Sequence, residues 1–292
     1  MSFRDRLLRK QQERKASWNI IELDYALSWV LAAIGEYKPA KETLIFKGGT
    51  CLKKCYFGEN YRFSEDLDFT ADPGIEDAVI DQTINLITQV ASSLSINQGG
   101  GVIFSWESYE EKEPHPFNQR AYTLRARFPW HKNPYTYTKI KLEISRDEEL
   151  AYAPNERSIL HGYGESFSQT IKAYALEEIL AEKYRGILQN QERFRIKGWI
   201  RSRVRDFYDL WHILKQFKDQ INFEHFYQNF TQKCLQKGIT FEDSQQFFNQ
   251  KEYLERVKKD WDQFLNGLTT TLPSFEETII ELEKLTEEVF KK

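Results

Sequence analysis

Cysteine, methionine and proline are scarce in this 292-residue chain, with three, one and eight residues respectively. Three cysteines (Cys51, Cys55 and Cys234) are too few for a disulfide scaffold, and the first two lie one helical turn apart. A reducing compartment is the expectation. No apolar run approaches the roughly 18 residues of a membrane-spanning helix. The opening segment, MSFRDRLLRKQQERK, is charged throughout and lacks the apolar core of a secretory signal. An excess of one charge is also missing, since 41 basic residues face 44 acidic ones for a net charge of −3. A uniformly basic nucleic-acid coat is thereby excluded, although a local basic patch is not. Internal repeats and low-complexity linkers are absent as well. What remains is 40% hydrophobic and 15% aromatic, a composition that buries cores and argues against disorder. The length favours two domains. These features together predict a soluble cytoplasmic protein with no membrane partner.

The character of the sequence changes near residue 165, which predicts domains over 1–165 and 166–292. Residues 18–39 carry Ile20, Ile21, Leu23, Leu27, Val30, Leu31 and Ile34 near helical spacing. Thr43–Phe46 reads as a strand that stops at Gly48-Gly49, with Thr50 as N-cap of a short helix through Tyr56. Leu67-Asp68-Phe69 lies in a second strand, and residues 76–95 form a helix that buries Ile80, Ile84, Ile87 and Val90. Three strands follow over Gly101–Ser108, Ala121–Phe128 and Tyr135–Ser145. In the last, Ile140, Leu142 and Ile144 alternate with Lys139, Lys141 and Glu143. Beyond residue 165 helical periodicity takes over, and Ser274 with Glu277 has capping-box spacing. The expected fold class is α/β or α+β, with a mainly antiparallel or mixed sheet followed by an all-helical domain.

The chemistry concentrates in Lys47-Gly48-Gly49-Thr50 and Arg62-Phe63-Ser64-Glu65-Asp66-Leu67-Asp68-Phe69. Residues two apart on a strand share a face, so Asp66 and Asp68 place two carboxylates side by side. Like charges that close repel unless a cation neutralises them. Hard oxygens of this kind suit Mg²⁺, which binds through one or two carboxylates plus substrate phosphates. A strand ending in two glycines and opening a helix offers backbone N–H groups and a favourable dipole to phosphates. Glu143 is the candidate third ligand; the alternative is an outward glutamate paired with Lys139 or Lys141.

This constellation resembles the nucleotidyltransferase fold of the DNA polymerase β superfamily, and within it the AbiEii/AbiGii toxin family of defence and toxin–antitoxin systems. The likeness runs through Lys47-Gly48-Gly49-Thr50-Cys51-Leu52-Lys53, Arg62, Ser64–Phe69, Leu176–Lys183 and Arg205–Leu210. The resemblance implies a metal-dependent transferase, with a toxin–antitoxin or phage-defence (abortive infection) system as its biological setting. It places Lys47, Gly48, Gly49, Thr50 and Ser64 around a nucleoside triphosphate, and Asp66, Asp68 and Glu143 around two Mg²⁺ ions, with Mn²⁺ as an alternative. At position 143 the family more often has aspartate. Lys183 falls on the apolar stripe of Leu176, Ile179, Leu180 and Ile187, where it either snorkels or points into a cleft. The resemblance turns it toward the nucleotide phosphates and brings Asp206 or Asp209 to the mouth of the active site; read alone, those aspartates cap a helix and pair with Arg205. A tRNA 3′ end as acceptor and a separate antitoxin as partner are further implications.

Residues 193–205 hold six basic side chains and no acidic one, with Phe194 and Trp199 interleaved. Arg193, Arg195, Lys197, Arg201 and Arg203 are the candidate RNA contacts, against the plainer alternative of a solvated face. Two other functional classes stand beside an RNA-directed enzyme: nucleotidylation of a partner protein, and a non-catalytic nucleotide- or RNA-binding module. The acidic pair argues against the last.

Overall fold

The computed structural model describes residues 2–109, 119–200 and 202–291. The chain divides into two compact units. The first comprises residues up to Glu149, Pro154–Tyr174 and Gly267–Thr270; the second takes Leu150–Ala153, Ala175–Asn266 and Thr271 onward.

The first unit opens with α1 (Phe3–Arg14), α2 (Trp18–Glu36) and α3 (Lys38–Thr43). The expected helix over 18–39 is thus two helices, broken at Tyr37 before the Pro39 that α3 carries in its first turn. Next come β1 (Ile45–Lys47), α4 (Gly48–Cys51) and a π-helix over Leu52–Phe57. They are followed by β2 (Asp66–Thr70), α5 (Asp77–Asn97), β3 (Ile103–Tyr109), β4 (Arg120–Arg127) and β5 (Thr138–Ser145). Two short strands, β6 (Asn155–Ser158) and β7 (Thr170–Ala173), complete it. The seven strands form one mixed sheet in the order β3-β4-β5-β2-β1-β7-β6. Strand β7 lies past residue 165, where periodicity ends the first domain, and it pairs parallel to β1 through Phe46 and Ala173. Pairing with a neighbour, more than its own composition, makes it a strand.

The sheet has two unlike faces. Phe46, Leu67, Phe69, Leu124, Ile140, Leu142 and Ile144 are fully buried. Helices α2 and α5 pack on each other and on the sheet. Helix α2 is buried nearly all round, and Ser17 caps it by accepting from the Ile20 N–H at 3.4 Å. Its buried Glu22 is satisfied by Trp130 Nε1 at 2.6 Å and Thr138 Oγ1 at 3.0 Å. The other face carries the charged residues of β1, β2 and β5. One late segment returns to this unit: Phe63 N–H donates to the Leu268 carbonyl oxygen at 2.7 Å.

The second unit is helical, with α6 (Leu176–Lys197), α7 (Val204–Phe217), α8 (Phe226–Gln236), α9 (Lys251–Leu265) and α10 (Phe275–Val289). Helix α7 packs on α6, α9 and α10. Tyr184, Phe230, Phe241, Phe247 and Phe290 interlock as an aromatic core, and the Tyr184 hydroxyl meets Thr286 Oγ1 at 2.8 Å. Ser274 caps α10 as its spacing predicts. Among the described residues no helix is long and apolar enough to cross a membrane, and all three cysteines are buried free thiols.

Candidate active site

The charged face is built by register. Lys47 on β1 stands beside Asp68 on β2, and Asp68 stands beside Glu143 on β5. Asp66 stands beside Lys141 in the same pairing. Period-two alternation sends all five side chains to the face opposite Leu67, Phe69 and Leu142. Asp66, Asp68 and Glu143 are half-buried, so water and solutes reach them.

Directly after β1 the chain turns at Gly48, whose φ of +80° is costly for residues with a Cβ. A Cβ there would lie 2.6 Å from Asp68 Oδ2, so any other residue would also displace that carboxylate. A Cβ at Gly49 would meet Arg62 Nη2 at 2.6 Å and Ser64 Oγ at 3.2 Å. The two glycines therefore bring backbone against the acidic strand and against the segment leading into it. Thr50 departs from expectation. The helix already begins at Gly48, and the buried Thr50 donates its hydroxyl to the Asp66 carbonyl oxygen instead of capping. That bond ties the start of the helix to the start of β2. Lys47 Nζ donates to Ser145 Oγ at 2.7 Å, and Ser145 Oγ donates to the Phe69 carbonyl oxygen at 3.2 Å.

Glu143 pairs with Lys141, one of the two partners its sequence neighbourhood offers. Burial presses the Lys141 ammonium toward the neutral form. The Glu143 hydrogen bond and the charges of Glu143, Asp66 and Asp68 outweigh it, and Lys141 titrates above the ordinary lysine range. The face thus draws positive charge, and its oxygen donors suit a hard divalent ion. Among the described residues no three His, Cys, Asp or Glu side chains form a ready-made metal cage. Sequence reasoning did not assign Lys141 or Ser145 to the site. Their signal was the strand alternation itself, which places every second residue of β5 on this face.

The second unit carries its own charged cluster. Lys183 does not snorkel: it is buried, with Nζ 2.8 Å from Asp206 Oδ1 and 2.7 Å from Asp209 Oδ2. Arg203 Nη1 reaches Asp206 Oδ2 at 3.2 Å. Burial pushes the Asp206 carboxyl up, but the charges of Lys183 and Arg203 and the Lys183 hydrogen bond bring it net below the usual range.

The basic segment spans the end of α6 and the turn into α7. Arg193, Arg195 and Lys197 are exposed; Arg195 pairs with Glu192 at 2.6 Å, while Arg203 is engaged with Asp206. Arg201 lies outside the described residues. Phe194 packs edge-on against Tyr253, with centroids 6.0 Å apart, which removes it from the stacking role expected of it. Trp199 is 74% exposed.

With this geometry in place, comparison with known proteins is informative. The profile of the family described as nucleotidyl transferase AbiEii toxin, type IV toxin–antitoxin system, matches residues 29–281. The chain belongs to the AbiEii nucleotidyltransferase toxin family. Its fold is similar to that of MenT4, a nucleotidyltransferase toxin from Mycobacterium tuberculosis H37Rv, with a TM-score of 0.62 and 19% identity. That match covers 97% of this chain and 87% of the other. No curated protein sequence matches the chain. The protein is accordingly a nucleotidyltransferase of a type IV toxin–antitoxin family.

Proposed function

We propose that this AbiEii-family enzyme transfers a nucleotide from a nucleoside triphosphate to an RNA hydroxyl, with the 3′ end of tRNA as the acceptor. The carrying observation is the close approach of Gly48 to Asp68, which brings the backbone of a glycine turn directly beside two strand carboxylates. In this reading Lys47, Gly48, Gly49, Thr50 and Ser64 bind and orient the triphosphate. Asp66 and Asp68, with Glu143, would hold Mg²⁺ or Mn²⁺, which supplies Lewis-acid activation of the acceptor oxygen and charge neutralisation at the leaving pyrophosphate. Lys183 neutralises charge on the transferred phosphate, oriented by Asp206 and Asp209. Arg193, Arg195, Lys197, Arg201 and Arg203 contact the RNA backbone. A cognate antitoxin holds the activity in check in the cytoplasm.

The test is incubation with each labelled triphosphate, a divalent ion and either tRNA or total protein. Label should appear on tRNA in the wild type and vanish in Asp66→Asn and Asp68→Asn. Label on protein alone would move the acceptor to a partner protein. Full transfer by both variants would overturn the site.

A further inference from the structure

A second charged feature of the sheet unit lies outside that site. Helix α1, helix α2, the π-helix and the residues after it border a small recess that opens to solvent. Four cationic side chains line it (Lys10, Arg14, Lys53 and Lys54) against the carboxylates of Asp24 and Glu59. The π-helix turns two consecutive lysines inward, and both are almost fully buried.

The two lysines are not equally satisfied. Lys54 Nζ lies 2.9 Å from Asp24 Oδ1 and donates to Ser28 Oγ and the Asp24 carbonyl oxygen, each at 2.9 Å. Lys53 has a long bond to the Tyr61 carbonyl oxygen at 3.4 Å, Asp24 Oδ1 at 4.0 Å, and the Phe63 ring 4.4 Å away. A buried ammonium with three donors and so little to receive them is costly. Accordingly burial, its largest influence, draws Lys53 down to about 8 despite the attraction of Asp24.

At the mouth, Glu59 occupies the place an anion would take. Its carboxylate accepts from Lys10 Nζ at 2.7 Å and crowds Gly162, where a Cβ would come within 2.3 Å of it. The Glu59 side chain is 52% exposed, so it can swing into water and leave Lys10 with Glu13, 3.2 Å away.

We propose that this recess is a second, anion-binding site that takes a phosphate group and holds it between Lys53 and Lys10 in exchange for the Glu59 carboxylate, beside the Arg14 guanidinium that donates to the Glu59 and Tyr61 carbonyl oxygens. Cations converging from two separate elements on one small volume match a compact anion with several acceptor oxygens. The phosphate is either free inorganic phosphate or the monoester of a mononucleotide.

Calorimetric titration of the full chain in metal-free buffer tests this, because without a divalent ion the carboxylates of β2 repel phosphate. Inorganic phosphate should bind saturably to the wild type and more tightly to Glu59→Gln. Lys10→Gln and Lys53→Met should each weaken it about tenfold or more, the loss of one charge-assisted contact. A parallel titration with adenosine monophosphate separates the sources: equal binding assigns a monoester, and much weaker binding assigns free phosphate. If Lys53→Met does not fold, Lys10→Gln and Glu59→Gln still carry the test with opposite signs. Absence of saturable binding, or one affinity shared by all variants, would overturn the site.

Discussion

The sheet face and the helical cluster use the same ingredients, aspartates beside a lysine, in opposite ways. On the sheet, Asp66 and Asp68 are half-buried, and the ammonium of Lys141 rests on Glu143 with its own side chain 51% exposed. In the helical unit, Lys183 is buried between Asp206 and the fully buried Asp209. Exposed pairs contribute little and exchange their partners readily. Buried pairs fail badly when one member is removed, because the other is left as an uncompensated charge. The first arrangement is therefore suited to receiving a cation, and the second to holding the Lys183 ammonium in one fixed position.

The largest effect that sharpens this contrast is on stability. Lys183→Met removes the ammonium held between the half-buried Asp206 and the fully buried Asp209 and should cost about 3–5 kcal/mol, read as a large fall in melting temperature. Asp66→Asn relieves repulsion and should leave melting unchanged or slightly raised. Acid titration probes the same cluster. Because the folded Asp206 carboxyl titrates below its unfolded value, its stabilisation is complete above about pH 4 and disappears as pH falls further. In Lys183→Met the folded Asp206 carboxyl rises toward or above its unfolded value, so that acid-dependent loss should shrink or vanish. Equal melting of the two variants would erase the distinction between the regions.

A smaller effect is expected at Gly48. Gly48→Ala forces a Cβ toward Asp68 at a left-handed position, a strain of about 1–2 kcal/mol. Nucleotide transfer should fall by more than the stability change explains, since the cradle itself moves. A variant with wild-type turnover would detach Gly48 from the site. The smallest effect is at the exposed pair. Lys141→Met and Glu143→Gln should each change stability by less than about 1 kcal/mol. Their divalent-ion requirements should nevertheless diverge, lower in Lys141→Met and higher in Glu143→Gln. An unchanged Mg²⁺ titration in Glu143→Gln would remove that residue from the metal-binding set.

Much of this was legible in the sequence where one periodicity dominates locally. The Ile140–Glu143 alternation, the apolar stripe of α5 and the Gly48-Gly49 stop each carry their own signal. The polar β6 does not: Asn155–Ser158 becomes a strand by pairing antiparallel with β7, from Asn155 beside Ala173 to Ser158 beside Thr170. Thr50 looks like a helix cap because its partner, the Asp66 carbonyl oxygen, is sixteen residues away. Lys183 reads as a snorkelling lysine for the same reason, since Asp206 and Asp209 arrive from the next helix. Nothing in the residues around Leu52 announces a π-helix.

The bond from Phe63 N–H to the Leu268 carbonyl oxygen has a consequence for biosynthesis. Phe63 immediately precedes Ser64-Glu65-Asp66, so the lead-in to the acidic strand is fastened by a segment translated some two hundred residues later. Domains generally fold as the ribosome delivers them, N-terminal portions first. Here the sheet unit lacks one of its own fastenings until nearly all of the helical unit has emerged. A nascent chain not yet extended to Leu268 presents Asp66 without that anchor, which delays completion of the charged sheet face until four helices of the second unit have been synthesised.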